Sequence, residues 1–581
     1  MNKGLIKLTT AATILAVGAG SLTPIVKAET PKFQTLIENK GKAIKGGQLR
    51  YALVGDPFPG VLSPSLYDAD PDGRIIDFFN PGLIGYDENF HIDDSGFGKV
   101  AFDKENKQVT ITIPKDTKWD DGQPLTIDDV IQPYLIIGHP DYTGVRYNEA
   151  FANVVGMDEY HSGKAKEISG LERVDDYTLK ITYKNFSNSM TQAGGSICSF
   201  IEPAHILKDI PVKDLQDSEA VRKKPVGFGP FKVKTIVPGE SVTLEANEYY
   251  YKGKPKMDSL VIDVVNQDSI VQEMKAGNYD IATLPADQYQ TFKDAKNFKV
   301  AGNLANVYTY IGFMMGKWDA ENKEVKMDPN KPVSNKAVRQ AMAYAIDTKA
   351  MGEKFYFGLR LPANSPITPN FTEYNDKSIK PFKCDPEKSK QILAKAGFKD
   401  KDGDGFVEDP KGKPFKLSFA AMQGGETAEP LAQYFVESWK QIGLNVELTD
   451  GRLLEMNSFY DRLDADDPKI DVFQAAMTTG GDPNPEGQFG RRAKFNQSRW
   501  ATEENDKLIE AIMSDKSFEK DFRVKAFQDW QKYVMEELPV IPTLYRYELT
   551  AVNNRVSQWD VKTGSDLPLS EIELLSDKPI K

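Results

Sequence analysis

Cysteine and histidine are scarce in this chain of 581 residues. The two cysteines, Cys198 and Cys384, could form one disulfide or remain free thiols, and the sequence leaves both possibilities open. The four histidines lie far apart, without the spacing of zinc ligands: His91, His139, His161 and His205. We therefore expect neither a disulfide framework nor a zinc site.

Motifs of common catalytic and nucleotide-binding sites are also missing. The chain has no Gly-x-Ser-x-Gly elbow and no glycine-rich phosphate loop followed by Lys-Ser/Thr. A nucleophilic Cys198 would need His205 beside it in space, whereas a single cysteine more commonly serves packing. We expect no enzyme and no cofactor, with a secreted hydrolase as the remaining catalytic alternative.

Long apolar runs are absent except near the N-terminus. The run from Leu8 to Gly20 is shorter than the ~20 residues that span a bilayer. Lys3 and Lys7 precede it, and Val26-Lys27-Ala28 offers a cleavage site, so residues 1–28 are predicted to be a secretory signal. The polar residues 29–46 are expected to be a tether.

Acidic residues outnumber basic ones, giving a formal net charge of −12. Residues 1–28 contain three lysines and no acids, so the exported chain would carry −15. This charge argues against nucleic acid or an anionic membrane surface as the main partner. The overall composition is that of a soluble globular protein.

The stretch 109–130, VTITIPKDTKWDDGQPLTIDDV, combines a strand, a turn and a helix start. Apolar residues alternate with threonines up to Ile113, the period-2 pattern of a strand with one buried face. Trp119 and the turn Asp121-Gly122 follow, and Thr126 is placed to cap a helix. In the order of its residues, this stretch resembles the signature of the family 5 extracellular solute-binding proteins, the large peptide-binding components of bacterial ABC importers.

A second stretch carries the same resemblance. Val226-Gly227-Phe228-Gly229-Pro230 corresponds to a segment in which the family favours Gly-Thr-Gly-Pro, with Phe228 in place of threonine. The resemblance implies an α/β fold of the two-lobed periplasmic-binding-protein type with an additional inserted α/β domain. The expected division is lobe I at 47–90, 216–307 and 540–581, an inserted domain at 91–215, and lobe II at 308–539.

Local patterns agree with an α/β chain. Alternating apolar residues on both sides of Pro238-Gly239 predict a hairpin, and 259–283 reads as strand, helix and strand, which implies parallel pairing. Ser334 and Asp385 are predicted to cap two helices of the second lobe. Further helices are expected near 429–443 and around Phe527, Trp530 and Val534.

The candidate ligand site follows a predicted buried strand at Asp471–Met477. The loop 478–485, TTGGDPNP, leaves the carboxyl end of that strand, where ligands collect in α/β folds. The resemblance implies that Asp482 pairs with the α-ammonium of a bound peptide, and that Thr478, Gly480 and Gly481 offer main-chain groups. The alternative is an ordinary surface Asx-Pro turn.

The resemblance also implies function and partners. The chain would capture oligopeptides outside the cell, as a monomer, and deliver them to ABC permease and ATPase subunits on separate chains. A binder of one signal peptide, of haem or of a nickel complex is the alternative. Relatives usually have a lipidated cysteine after the signal run, whereas residues 16–21 here contain none, which leaves the mode of retention at the cell surface open.

One loop resembles a calcium site. Asp400, Asp402, Asp404 and Gly405 occupy positions 1, 3, 5 and 6 of an EF-hand-like loop. Lys411 stands at position 12, where a glutamate belongs, although Glu408 or Asp409 could replace it. A polar connector is the alternative interpretation.

Overall fold

The computed structural model describes residues 33–581 except Lys323 and Asp566. The predicted signal 1–28 lies outside the described residues. Within them, no helix is both long and apolar enough to cross a membrane.

The first part of the chain begins the sheet of the first lobe. Its elements are β1 Leu36–Glu38, β2 Gln48–Val54, α1 Asp70–Phe79 and β3 Gly85–Tyr86. β1 lies inside the expected tether, yet it pairs antiparallel with a C-terminal strand, Ile37 opposite Trp559. Ile37 is buried, so the described part of that segment packs on the fold because its apolar residue leaves water.

Residues 91–215, the inserted segment, form a separate antiparallel sheet with short helices. The elements are β4 Ile92–Asp93, β5 Lys99–Asp103, β6 Gln108–Thr112, α2 Ile127–Ile137, α3 Glu149–Ala152, α4 Met157–His161, β7 Leu171–Asp175, β8 Thr178–Thr182, α5 Ala204–Leu207 and α6 Val212–Leu215. The strand order is β5-β6-β8-β7. Trp119 is buried in the core of this segment, Gly122 has a positive φ of 84°, and the Asp129 carboxylate accepts the Thr126 N–H at 2.7 Å. The predicted strand, turn and capped helix are therefore confirmed.

The chain then returns to the first sheet. The elements are α7 Glu219–Arg222, β9 Phe231–Val237, β10 Ser241–Ala246, β11 Ser259–Val265, α8 Ile270–Lys275, β12 Ile281–Leu284 and α9 Tyr289–Phe292. β9 and β10 form the predicted hairpin. β11 and β12 both run parallel to β2, which lies between them, so the predicted strand–helix–strand unit is present with an earlier strand inserted in its middle.

Two long strands connect the lobes. β13, Phe298–Phe313, and β20, Val540–Asn553, are antiparallel neighbours in one eleven-stranded sheet. The pairing register shifts between Leu304 and Tyr308, so the ladder is interrupted within both long strands.

Residues 308–539, the helix-rich segment, contain most of the long helices. The remaining elements are β14 Gly316–Asp319, β15 Glu324–Met327, α10 Lys336–Tyr344, α11 Thr348–Tyr356, β16 Arg360–Pro362, α12 Pro386–Lys395, β17 Lys416–Ala420, α13 Ala428–Lys440, β18 Asn445–Leu448, α14 Met456–Asp464, β19 Val472–Thr478, α15 Glu486–Phe489, α16 Glu503–Met513 and α17 Lys520–Glu537, with β21 Gln558–Asp560 after β20. Asp385 caps α12 as predicted. The predicted Ser334 cap is wrong, because Asn335 accepts the Ala337 N–H instead, while Ser334 donates its hydroxyl to the Asp328 carbonyl.

The apolar core is divided between the lobes. One large cluster joins β19, α10, α13 and α17 in the helix-rich segment. Separate clusters lie around β2 and β11 and inside the inserted segment. This division gives the two-lobed α/β architecture that the sequence predicts, with a cleft between bodies that each have their own core.

Candidate ligand-binding cleft

The loop after β19 is braced by short-range hydrogen bonds. Asp482 accepts the Asn484 N–H at 3.1 Å, and the Asn484 side chain accepts the Glu486 N–H at 3.0 Å. Pro483 and Pro485 restrict the backbone between these turns. These bonds and prolines restrict the conformation of the loop.

The main chain of this loop is only partly used by the sheet. The Thr479 N–H donates to the Asn306 carbonyl at 2.7 Å, and the Asn306 side chain donates to the Gly480 carbonyl at 3.2 Å. In the described part of the chain, the N–H groups of Gly480 and Gly481 make no hydrogen bond. A Cβ at Gly480 would meet only open space. These two N–H groups are thus available to a ligand's carbonyl oxygens.

Thr478 lines a central cavity of about 820 Å³. The crossing strands provide one wall with Asn303–Val307 and Arg546, and Tyr86 and Phe90 provide another. The cavity therefore lies at the crossing strands, between the two lobes.

Two ion pairs line this cavity. Arg74 lies 2.7 Å from Asp70, and Arg546 lies 3.3 Å from Glu548. Because each of these cations has a carboxylate partner, the two pairs contribute no net charge that would select acidic or basic side chains.

Asp482 lines a different crevice, of about 1180 Å³, between the inserted segment and the helix-rich segment. Ser189 and Gly195 face it from one side, and Asn484 and Met513 from the other. Thr478 and Asp482 therefore lie on one loop, but they line two different cavities.

Gly480 and Gly481 lie between these cavities, and Gly481 touches the opposite wall. A Cβ on Gly481 would collide with the Ala193 carbonyl oxygen. The Ala193 N–H in turn donates to the Phe90 carbonyl at 2.8 Å. Glycine at 481 thus permits the inserted segment to approach the loop closely.

Other contacts cross the same cleft. Thr372 donates to the Asn89 side chain at 2.9 Å, and Asn188 donates to the Ser517 carbonyl at 2.9 Å. The rings of Phe186 and Phe518 are stacked 6.0 Å apart. The molecule is in a closed arrangement, with both walls in contact.

The Asp482 carboxylate is poorly hydrated. Its side chain is 12% exposed. Burial raises its pKa, while Arg523, Ser189 and the Asn484 N–H oppose the rise. A cation that entered the crevice would further stabilise the charged form of Asp482, because a buried carboxylate needs a positive partner.

The three aspartates of the calcium hypothesis are close together but exposed. Ligand oxygens of Asp400, Asp402 and Asp404 lie within 4.8 Å of one another. Each carboxylate accepts backbone N–H groups of its own loop. The same hydrogen bonds are found in ordinary polar turns that bind no metal. Calcium binding stays a prediction, which calorimetric titration with calcium can test.

The alternative of a cysteine nucleophile finds no support in the geometry. Both cysteines are free thiols. Burial raises the pKa of Cys198 to about 12, so the reactive thiolate is disfavoured. His205 is paired with Asp121 at 2.8 Å.

Sequence reasoning missed Arg523, which lies beside Asp482. Its signal was available, since Arg523, Phe527, Trp530 and Val534 follow the spacing of one helix face. An arginine in line with three buried apolar residues indicates a buried charge, whose partner only the fold reveals.

The sequence model of the bacterial extracellular solute-binding proteins, family 5, matches residues 101–496. The chain belongs to this family. The chain is 34% identical over 507 residues to the oligopeptide-binding protein OppA of Lactococcus lactis subsp. lactis, covering 86% of this chain and 84% of that protein. The oligopeptide-binding protein AppA of Bacillus subtilis is 28% identical over 522 residues, with 86% and 87% covered.

Solved structures of family 5 proteins have the same fold. Lactococcal OppA, complexed with an endogenous peptide in the closed conformation, superposes with a TM-score of 0.82 at 32% identity, over 91% of this chain and all of that one. AppA from Bacillus subtilis in complex with a nonapeptide gives 0.72 at 25% identity, over 92% and 100%. The expected two-lobed periplasmic-binding-protein fold is thereby confirmed.

Proposed function

We propose that this family 5 protein captures oligopeptides outside the cell and delivers them unchanged to an ABC permease. The observation that carries the proposal is the braced loop 478–485, which combines unused main-chain N–H groups with a buried carboxylate in a cleft between two lobes. The relatives described above, which are oligopeptide-binding proteins, support the same ligand class.

The chemistry suits a ligand of varied sequence. All linear peptides share amide groups and, unless blocked, a terminal ammonium. Main-chain groups at Gly480 and Gly481 would bond to amides whatever the side chains are. Asp482 would pair with the ammonium, and Thr478 would place a main-chain group beside the central cavity.

Capture would require opening of the cleft. We assign lobe I to 47–90, 216–307 and 540–581, the inserted domain to 91–215 and lobe II to 308–539. The interrupted register at Leu304–Tyr308 is where we expect the hinge, because fewer ladder bonds resist bending there. Ligand would bind to the open form and be enclosed by closure.

Partners and location follow from this role. The protein would act as a monomer, without catalysis or cofactor, outside the membrane. Permease and ATPase subunits on separate chains would carry out transport.

Native mass spectrometry of freshly purified protein tests the ligand class. We expect co-purified peptides of mixed mass that are released intact on denaturation. A porphyrin, a nickel complex or cleaved peptide fragments would overturn the proposal.

A further inference from the structure

Arg523, in the first turn of α17, has a buried guanidinium that lies close to the side chains of Tyr374 and Asp482. It is 1% exposed. Within the described residues, none of its three side-chain nitrogens has a hydrogen-bond partner. Buried, unsatisfied donors are rare in folded proteins, and an uncompensated buried charge is costly. Such a group calls for a compensating charge nearby.

Asp482 is that charge. Nη2 of Arg523 lies 3.7 Å from Oδ1 of Asp482, within ion-pair distance but beyond hydrogen-bond distance. The rings of Tyr374 and Phe527 each have their centroid 5.4 Å from the guanidinium carbon. These rings exclude water from the pair, which strengthens its attraction.

Other groups around the pair are neutral or have their own partners. From the inserted segment, Ser189 faces Asp482. Beside Tyr374, Glu373 lies 2.7 Å from Lys520 and 3.7 Å from His91. Arg523 is therefore the cation that acts most directly on Asp482 from inside the protein.

We propose that Arg523 is a positioning residue for the ligand's amino terminus: it keeps the Asp482 carboxylate charged while leaving the acceptor sites that Asn484 and Ser189 do not use for an ammonium. This inference rests on the proposed function, with Asp482 as the ammonium partner. A guanidinium that donated two hydrogen bonds to Asp482 would occupy those oxygens. At 3.7 Å the charge acts on the carboxylate without taking its acceptor sites.

The sign of the pH effect follows from the two charges. Burial raises the pKa of Asp482 and Arg523 opposes that rise. Ammonium binding requires the carboxylate, so affinity falls as the pH drops through this pKa. Removing Arg523 moves the loss of affinity to higher pH. Well above the pKa, affinity is kept, because removing Arg523 also removes a charge of the same sign as the ligand's.

The test compares Arg523→Gln, Arg523→Lys and the unaltered protein. Affinity for a pentapeptide with a free amino terminus, and for its N-acetylated form, is measured by calorimetry from about pH 5 to about pH 7.5, below the pKa of ~7.7–8.0 of a free α-amino group. We expect R523Q to match the unaltered protein at the upper end and to bind the free peptide at least tenfold more weakly at the lower end. R523K should restore the profile, and the acetylated peptide should show no such shift.

A control separates this effect from general damage. Arg499 is another buried arginine, 2.5 Å from Asp466, so R499Q should leave the pH profile unchanged. The inference is overturned if R523Q loses affinity equally at every pH or equally for both peptides. The proposed function fails instead if the unaltered protein binds neither peptide, and the ammonium site fails if Asp482→Asn does not distinguish them.

A second measurement does not require R523Q to fold. Carbon-13 labelling of aspartate carboxyls follows ionisation in the unaltered protein, with the Asp482 signal identified by its loss in D482N. We expect Asp482 to stay charged at pH values where peptide binds. A neutral Asp482 at those pH values would overturn the inference.

Discussion

Two buried arginine–aspartate pairs in this molecule are built in opposite ways. Arg555 and Asp280, in the first lobe, are 1% and 0% exposed and form two hydrogen bonds of 2.6 Å. Arg555 also donates to the carbonyls of Gln48, Ser576 and Asp577. Arg523 and Asp482, at the cleft, are 3.7 Å apart, with the guanidinium unsatisfied. The first pair is complete in itself, whereas the second has acceptor capacity left over.

The two pairs differ in where their hydrogen-bond partners come from. The Arg555 guanidinium connects β2, the residue before β12 and the C-terminal segment, so its bonds are made by the chain alone. The cleft pair has one face toward a crevice, and its spare oxygens suit a ligand from outside. A buried charge whose hydrogen bonds are complete needs no further partner, whereas an unsatisfied buried group calls for an explanation, which at Arg523 we propose is ligand binding.

The largest expected effect is on stability, at the complete pair. Asp280→Asn should lower the free energy of unfolding by about 3–5 kcal/mol, because it leaves Arg555 buried without its counter-charge. Urea unfolding measures this loss. Asp263→Asn, which breaks the more exposed pair with Arg50, should cost under about 1 kcal/mol. Equal losses of stability in D280N and D263N would contradict a special structural role for the Arg555–Asp280 pair.

The next effect is on binding, at the incomplete pair. Asp482→Asn should weaken a peptide with a free amino terminus by about 2–5 kcal/mol, since it removes the ammonium's partner and leaves Arg523 to repel it. An N-acetylated peptide should lose much less. Calorimetry with both peptides measures the contrast, and an equal loss for both would remove Asp482 from this role. Stability should fall less than in D280N.

Gly480 and Gly481 test whether the Arg523–Asp482 pair lies at a surface that is buried when the cleft closes. Gly481→Ala should reduce peptide affinity by about tenfold, through strain of ~1–3 kcal/mol against the Ala193 carbonyl in the closed form. Gly480→Ala faces open space and should change affinity little. The two substitutions restrict the unfolded chain alike, so their difference isolates closure. Small-angle scattering with ligand should show a more open G481A.

The smallest expected effect is at the rim. Asn188→Ala removes one hydrogen bond to Ser517 across the cleft and should reduce affinity by about 0.5–1.5 kcal/mol. Asn106→Ala, whose side chain bonds to Asp103 of its own hairpin, serves as the control. Affinity loss in N106A as large as in N188A would argue against a role for this contact in closure.

Much of the local structure could be predicted from the sequence. The hairpin at Pro238-Gly239, the cap at Asp385 and the strand before Thr478 depend on residues close in the chain, so their patterns suffice. The cap at Asn335 was missed by one position, because Ser334 finds a tertiary acceptor, the Asp328 carbonyl. Whether Ser334 caps the helix or bonds elsewhere depends on backbone groups outside the helix, so the local sequence pattern cannot predict it.

The candidate site was predictable only in part. Asp482 and its glycine-rich loop follow from a strand ending and from the family resemblance. Arg523 is 41 residues further along the chain, and its position beside Asp482 depends on how α17 packs. Thr478 and Asp482 line two cavities, and Gly481 between them touches Ala193, a residue remote in the chain whose position only the fold decides.

The elements, the family and the loop with its main-chain groups and carboxylate can be predicted from the amino-acid sequence, because hydrophobic period, turn residues and caps act over a few residues. Which buried charges have all their hydrogen bonds depends on the fold. Whether an arginine meets two carboxylate oxygens or stops at 3.7 Å is set by the packing of segments remote in sequence, and burial makes that small difference in distance large in energy.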